Sequence, residues 1–434
     1  MKQDRLAAIE ALRGIAALLV AIFHFYYVLG INTLYPTPAR LIQHFGYAIE
    51  LFFLISAFTM MYTYERSATN RTPLFFLIKR YFRIAPLFYF CITLNLLIFM
   101  WSHSDLPFPY DPMLIVANIS LLFNLTPVSA ISLTPAGWTI GVEIIFYLLF
   151  PLIAVLAARR WILATLFLGF SLLAYTSKYL LPASPFVDQA SASYFNLYCA
   201  LNFMPVFIAG ILLYKLWKYV SSDVDVTAVH RYAALSMYVF LGFVGLILYD
   251  VFATRFLHYI WAAAFAFLVI SSLLKPNRII VNRITTYFGK ISYSLYLLHV
   301  IVMVYVPRQV LAFGFLSGID SQGTRVALQL IIWFSTLTLL SNLTFRFVES
   351  PFNHLAAALI GRIQSGTDRA DTKEPSMAQV ISSTPKSAMG FWTKQPLGRN
   401  GISSPFGEAR LRRSSPAVCS EGYFCRRRWD FRRF

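Results

Sequence analysis

Long uncharged apolar runs alternate with short polar segments along the first 350 residues. Ten such runs, at about 10–29, 46–64, 84–101, 137–157, 161–181, 195–217, 232–250, 256–274, 290–308 and 326–347, approach the ~20 residues a helix needs to cross a bilayer. With no water in the hydrocarbon to satisfy backbone groups, runs of this length and spacing predict helices. The predicted fold is all-α, a polytopic membrane bundle of about ten transmembrane helices. No short apolar region is followed by a small-residue cleavage site, so the first run is expected to remain as a span.

Two regions depart from this pattern. Segment 102–136 opens with Ser102-His-Ser-Asp-Leu-Pro-Phe-Pro-Tyr-Asp-Pro112, whose prolines prevent regular helix. The apolar stretch Met113 to Leu125 that follows is too short to span and is expected to be a re-entrant or interfacial element on the outer side. Beyond residue 360 the apolar runs stop. Residues 1–360 are therefore read as the membrane domain. Residues 361–434, rich in Ser, Pro, Gly and Arg, are read as a disordered basic cytoplasmic tail. From residue 363 onward the chain holds 13 Lys plus Arg against 6 Asp plus Glu, a charge suited to anionic lipid.

Composition agrees: 58% of the 434 residues are hydrophobic and 13% are charged, against roughly 25% charged in soluble domains. The net charge of +18 is distributed unevenly. With the N-terminus placed in the cytoplasm, 18 Lys and Arg fall in inner segments and five in outer ones. The positive-inside rule then puts both termini in the cytoplasm. The four cysteines have neither zinc-site nor redox spacing, so neither a metal nor a disulfide framework is expected.

The ionisable residues within the spans are the candidates for chemistry, because charge in hydrocarbon is costly. The first span carries Glu10, Arg13 and His24. At about 100° per residue Arg13 and His24 share a helix face, about 16 Å apart along the axis. Gly14, Ala17 and Ala21 lie near that face and permit close helix approach. His24 is either a general base, its ordinary pKa being near neutrality, or a buried packing group. Glu143, in Gly137-Trp-Thr-Ile-Gly-Val-Glu143-Ile-Ile-Phe-Tyr147, is expected at the depth of His24. It either orients that imidazole or fixes packing. Glu50 either serves as an alternative partner or faces water.

The first inner loop holds Lys79-Arg80-Tyr-Phe-Arg83. Arg80 and Arg83, three apart, share a face if helical, and paired guanidinium groups suit phosphate. Ordinary inner-face retention accounts for the pair equally simply. With Arg13 at the same level, three arginines would ring an inner mouth. The ninth run, Ser292-Tyr-Ser-Leu-Tyr296-Leu-Leu-His299, forms a second polar face. Ser292, Tyr296 and His299 either line an acceptor cavity or hydrogen-bond to the first span. Arg346 and Glu349, before Pro351, are expected to form a local salt bridge at the end of the last span.

Taken in order, Arg13 and His24, Glu50-Leu-Phe-Phe-Leu-Ile-Ser-Ala57, Arg80-Tyr-Phe-Arg83, Trp138 to Tyr147, Ser292 to His299 and Phe347-Val-Glu-Ser-Pro351 make a specific set. Over residues 5–355 the chain resembles the acyltransferase-3 family of integral membrane O-acyltransferases, which modify bacterial surface glycans. Ala57 departs from the resemblance, since the family often has Gly there. The resemblance implies an acyl-CoA donor, most simply acetyl-CoA, approached from the cytoplasm, and a carbohydrate or glycan acceptor such as O-antigen or exopolysaccharide. It implies roles for Arg13, His24, Arg80 and Arg83, and a place in the bacterial inner membrane. The expected chemistry is O-acyl transfer, with His24 and Glu143 catalytic, Arg13, Arg80 and Arg83 holding the donor, and Ser292, Tyr296 and His299 facing the acceptor. No metal and no nucleic acid is called for. The alternative is a transporter or flippase of a lipid-linked glycan or anionic solute, using the same polar face as a pathway. Against that alternative, the sequence shows no convincing inverted repeat.

Overall fold

The computed structural model describes residues 2–102, 112–125, 131–180, 189–223, 225–252, 256–312 and 318–371, and all regular structure among them is helical. The principal helices are α1 (Lys2–Val28), α2 (Ala48–Arg66), α3 (Pro73–Ser102), α4 (Pro112–Ile119), α5 (Trp138–Leu156), α6 (Arg160–Leu180) and α7 (Gln189–Tyr198). They continue with α8 (Ala200–Asp223), α9 (Val226–Leu248), α10 (Leu257–Leu274), α11 (Arg283–Lys290), α12 (Ser292–Ala312), α13 (Gln322–Thr344) and α14 (Ser350–Asp371). Nine helical stretches of the described chain are long and apolar enough to cross a membrane, or ten if α11 and α12 make one broken span. The chain is therefore an all-helical integral membrane bundle. Residues 1–362 form one compact unit. The expected basic tail lies outside the described residues from position 372 onward.

Three features depart from the expected runs, one a continuity and two of them breaks. The basic stretch 79–83, expected as loop, is helical: α3 starts on Pro73, a favourable first position, and runs unbroken through Arg80 and Arg83. The sixth run is divided at Cys199 between α7 and α8. There the Asn124 side chain donates to Tyr198 O at 3.0 Å and accepts from Ala200 N at 2.9 Å, satisfying the backbone groups that the break exposes. The ninth run is preceded by a separate helix, α11, bent from α12 by 76°. Asn282 and Thr285 close the start of α11 with a reciprocal capping box.

The short stretch from Met113 to Leu125 is helical only in the segment Pro112–Ile119 and ends in a turn, with Leu121 at φ 63°. Fully buried Asn118 holds that turn. Its amide donates to Leu114 O and Ile131 O, and its carbonyl oxygen accepts from Leu133 N, each at 2.9 Å.

α1 and α11 cross in backbone contact. A Cβ on Gly14 would lie 2.2 Å from Thr285 O, and one on Gly289 would lie 1.9 Å from Glu10 O. The small face anticipated on α1 is thus used at Gly14, where the partner is the short helix α11. A Gly289→Val protein is expected to lose about 3 kcal/mol of stability, the upper end for overpacking, since the obstacle is backbone and cannot rotate away. Its unfolding transition in detergent should drop by several degrees, and an unchanged transition would contradict this crossing. α2 and α8 meet similarly: a Cβ on Gly210 would lie 2.5 Å from Leu54 O and 2.7 Å from the methyl of Ala57. Ala57 is accommodated here because the residue facing it is glycine.

Candidate active site

A cavity opens among α1, α2, α3, α5 and α12. Its polar wall carries Arg13 from α1, Ser56 from α2, Arg80 and Arg83 from α3, Glu143 and Tyr147 from α5, and Ser292 and Tyr296 from α12. Ile49, Phe52 and Phe53 supply an apolar side. A second cavity, lined by Thr63, Phe76, Lys79, Asn353 and Ala356, shares Arg80 and Arg83 with the first. The arginine pair therefore stands at the junction of the two, a consequence of the uninterrupted α3 that places both residues on one helix face.

The three arginines expected to act together are thus brought together. Among the described residues none of them makes a close ion pair, whereas Glu65 at the end of α2 does so with Lys215 and Lys218 of α8, at 3.0 and 2.6 Å. The Arg80 guanidinium lies 5.4 Å from the ring centres of both Phe76 and Tyr147, packed on aromatic faces instead. Glu143 interacts electrostatically with Arg13, Arg80 and Arg83, and its Oε2 accepts from Tyr147 OH at 3.1 Å. A site holding three cations and few carboxylates, with apolar walls that raise the strength of every charge interaction, is suited to a polyanion.

Glu349 joins this set, contrary to the local salt bridge expected with Arg346. Residues Phe345–Glu349 form a π-helical turn. Its wider winding takes Glu349 off the face it would share with Arg346 in an α-helix. Buried Glu349 accepts from Ser294 Oγ at 3.2 Å and interacts electrostatically with Arg83 and Arg13. Exposed Arg346 lies over the Phe347 ring. The cost of an ionisable residue near a span end was the available signal for Glu349, but the π turn left no mark on hydrophobic periodicity.

His24 is placed differently from expectation. Its Nδ1 lies 2.9 Å from Val20 O and 3.2 Å from Nε2 of His299, and no bond to Glu143 is formed. The two imidazole centres are 4.8 Å apart at a steep angle. His299 is fully buried, its Nδ1 lies 2.5 Å from Tyr296 O, and its own carbonyl accepts from Trp333 Nε1 at 3.3 Å. Of the two alternatives for the ninth run, His299 takes the bond to the first span, while Ser292 and Tyr296 line the cavity. The Ser292 hydroxyl is buried without a partner among the described residues, and Tyr296 OH donates to Ala136 O at 3.2 Å. The Tyr296 ring centre is 5.5 Å from that of His299, so Tyr296 borders both the cavity and the histidine pair. Glu50 neither faces water nor meets His24. It is 3% exposed, and its Oε2 has no partner among the described residues.

The fold and site together define a helical membrane bundle with a charged cavity inside it and an imidazole pair beyond. A family model described as an acyltransferase domain matches residues 6–359. The chain belongs to this acyltransferase-3 family and is an integral membrane acyltransferase. It is also similar to a protein of Acidianus two-tailed virus named as an acetyltransferase, with 26% identity over 301 residues, covering 68% of this chain and 82% of the viral protein. No solved structure matches the chain.

Proposed function

We propose that the protein transfers an acyl group, most simply acetyl, from acyl-CoA to a carbohydrate hydroxyl. The arginine pair at the junction of two cavities is the observation that carries this reading. The donor enters from the cytoplasm through the cavity bearing Lys79, and its phosphates lie against Arg80, Arg83 and Arg13. Guanidinium groups bind phosphate oxygens in paired, charge-assisted hydrogen bonds, and here none of the three is in a close ion pair among the described residues. The acyl-bearing arm then points toward Tyr296 and the histidines. His24 lies about 16 Å along α1 from Arg13, a separation that a long pantetheine arm spans.

The acceptor hydroxyl approaches from the opposite face of the membrane. His24 Nε2 takes the hydroxyl proton as the oxygen attacks the thioester carbonyl. The C–S bond breaks, the acyl group stays on oxygen, and the proton passes from His24 to the departing thiolate. One ester and one free thiol result, with no net change in protons. Glu143 stands with the donor arginines rather than with His24. Its role is to balance their charge and, through Tyr147, to keep the cavity wall ordered. On this reading the enzyme sits in a bacterial inner membrane with both termini in the cytoplasm, among lipids that the basic tail can touch.

The test is transfer of radiolabel from acetyl-CoA to glycan in membranes of the source organism, with and without this protein. Label in the glycan only when the protein is present is the expected result. Free acetate or coenzyme A release with no labelled glycan would point to another acceptor. Mass spectrometry of the surface polysaccharide from a deletion strain should show loss of a 42-Da substituent, the mass of one acetyl group, and an unchanged polysaccharide would overturn the glycan assignment.

A further inference from the structure

We infer that His299 is the positioning residue for His24, fixing which of its nitrogens is the base. The inference rests on the acyl-transfer reading above and assigns His299 a role distinct from contact with the acceptor. Three contacts define it: His24 Nδ1 to Val20 O, His24 Nδ1 to His299 Nε2, and His299 Nδ1 to Tyr296 O. A carbonyl oxygen only accepts, so both Nδ1 atoms carry hydrogen. Neutral His299 then has its lone pair on Nε2, and that nitrogen accepts from His24 Nδ1–H. One proton assignment accounts for all three contacts, with the His24 Nδ1–H shared between Val20 O and His299 Nε2. The reverse assignment, with His299 Nε2–H donating to His24 Nδ1, would leave Val20 O facing a nitrogen without hydrogen.

The consequence falls on the far side of the ring. With Nδ1 protonated and held, the lone pair of His24 lies on Nε2, which makes no hydrogen bond among the described residues. That atom is available to take a hydroxyl proton. Once it has done so, both ring nitrogens carry hydrogen, and the Nδ1–H of the imidazolium remains bonded to His299 Nε2 and Val20 O. Hydrogen bonds with one ionised partner are roughly twice as strong as neutral ones, so this bond strengthens as the charge develops. A group that orients a catalytic imidazole through its second nitrogen is commonly a carboxylate. Here a neutral imidazole does so without placing a second charge in the membrane interior.

His299 is held for this task from two sides. It sits one helical turn beyond Tyr296, which borders the donor cavity, and its ring is pinned by the carbonyl of that same Tyr296. Trp333 of α13 anchors its backbone. The bend between α11 and α12 and the crossing of α11 on α1 set the register of α12 against α1, which brings positions 24 and 299 to one level.

The experiment compares the full chain in membranes as wild type, His299→Gln, His299→Asn, His299→Leu and His24→Ala. Radiolabelled acetyl-CoA is the donor and the membranes' own glycan the acceptor. A glutamine oxygen reaches roughly the place of His Nε2 and accepts the same hydrogen, whereas asparagine is polar but too short and leucine cannot accept. His299→Leu and His299→Asn should lose about tenfold to a hundredfold in kcat, less than the full contribution of the general base because the base itself remains, with KM for acetyl-CoA within about twofold. His299→Gln should recover to within about threefold of wild type. Wild-type turnover in His299→Leu or His299→Asn while His24→Ala is inactive would overturn the positioning role and leave the acyl-transfer reading intact. A loss in His299→Gln as deep as in His299→Asn would also overturn it, because the restored acceptor would then have made no difference. Should His299→Leu not fold, the Gln and Asn pair decides. Full activity in His24→Ala would instead strike at the acyl-transfer reading itself.

Discussion

Replacing His24 with alanine is expected to reduce acyl transfer by about a hundredfold to ten-thousandfold, the contribution a positioned general base typically makes. The loss should fall on kcat, with KM for acetyl-CoA little changed, because the donor's phosphates are held on Arg13, Arg80 and Arg83, a separate group of side chains. The ring is half-buried, and its recorded contacts are a bond to its own helix, a bond to His299 and an edge contact with Phe23. Truncation removes little core packing and should leave the protein in the membrane. Size-exclusion chromatography in detergent, beside the radiolabel assay, separates lost chemistry from lost folding. A monodisperse His24→Ala protein with wild-type kcat would refute the base assignment.

The second large effect is expected at the arginine pair. A charge-assisted hydrogen bond contributes about 1.5–3 kcal/mol, so removing both Arg80 and Arg83 should raise KM for acetyl-CoA by two orders of magnitude or more. Arg80→Lys should recover only part of the loss, since an ammonium lacks the planar fork and packs less well over the Phe76 and Tyr147 rings. The comparison that isolates phosphate recognition uses acetyl-CoA lacking its 3′-phosphate. The wild type should bind this donor more weakly, whereas the double variant should discriminate less between the two donors. Equal discrimination in both proteins would show that the pair does not contact that phosphate, and an unchanged KM for acetyl-CoA would remove the donor role altogether.

Much of the fold was legible because hydrocarbon imposes a one-dimensional rule. A stretch that must bury its backbone polar groups needs about twenty apolar residues, and that length is visible without knowing any neighbour. The same rule marked Arg13, His24, Glu143 and His299, since charge in a span is costly wherever it lies. The helix breaks were less legible. Cys199 interrupts an apolar run that would otherwise read as continuous, and the bend at Ile291 falls at the very start of another. The backbone groups on either side of Cys199 are satisfied by a partner distant in sequence, Asn124, which bridges Tyr198 and Ala200. The π turn at Phe345–Glu349 was invisible for a related reason: it alters direction without altering composition.

Pairing was where depth alone misled. Glu143 and His24 were matched because helix arithmetic put them at one level, but a bundle has many faces at each level. Lateral position depends on crossing points such as Gly14 on Thr285 and Gly289 on Glu10, where the absence of a side chain lets two backbones meet. The α1–α11 crossing lies just before α12, whose His299 reaches His24, whereas Glu143 bonds Tyr147 one turn along its own helix and faces the arginines across the cavity. The sequence by itself determined that the chain spans a membrane, roughly where its helices lie and which ionisable side chains they carry into it, because each follows from the local price of polarity in hydrocarbon. Only the tertiary structure decided which of those side chains meet, because that depends on the rotation and crossing of helices whose contacts are far apart along the chain.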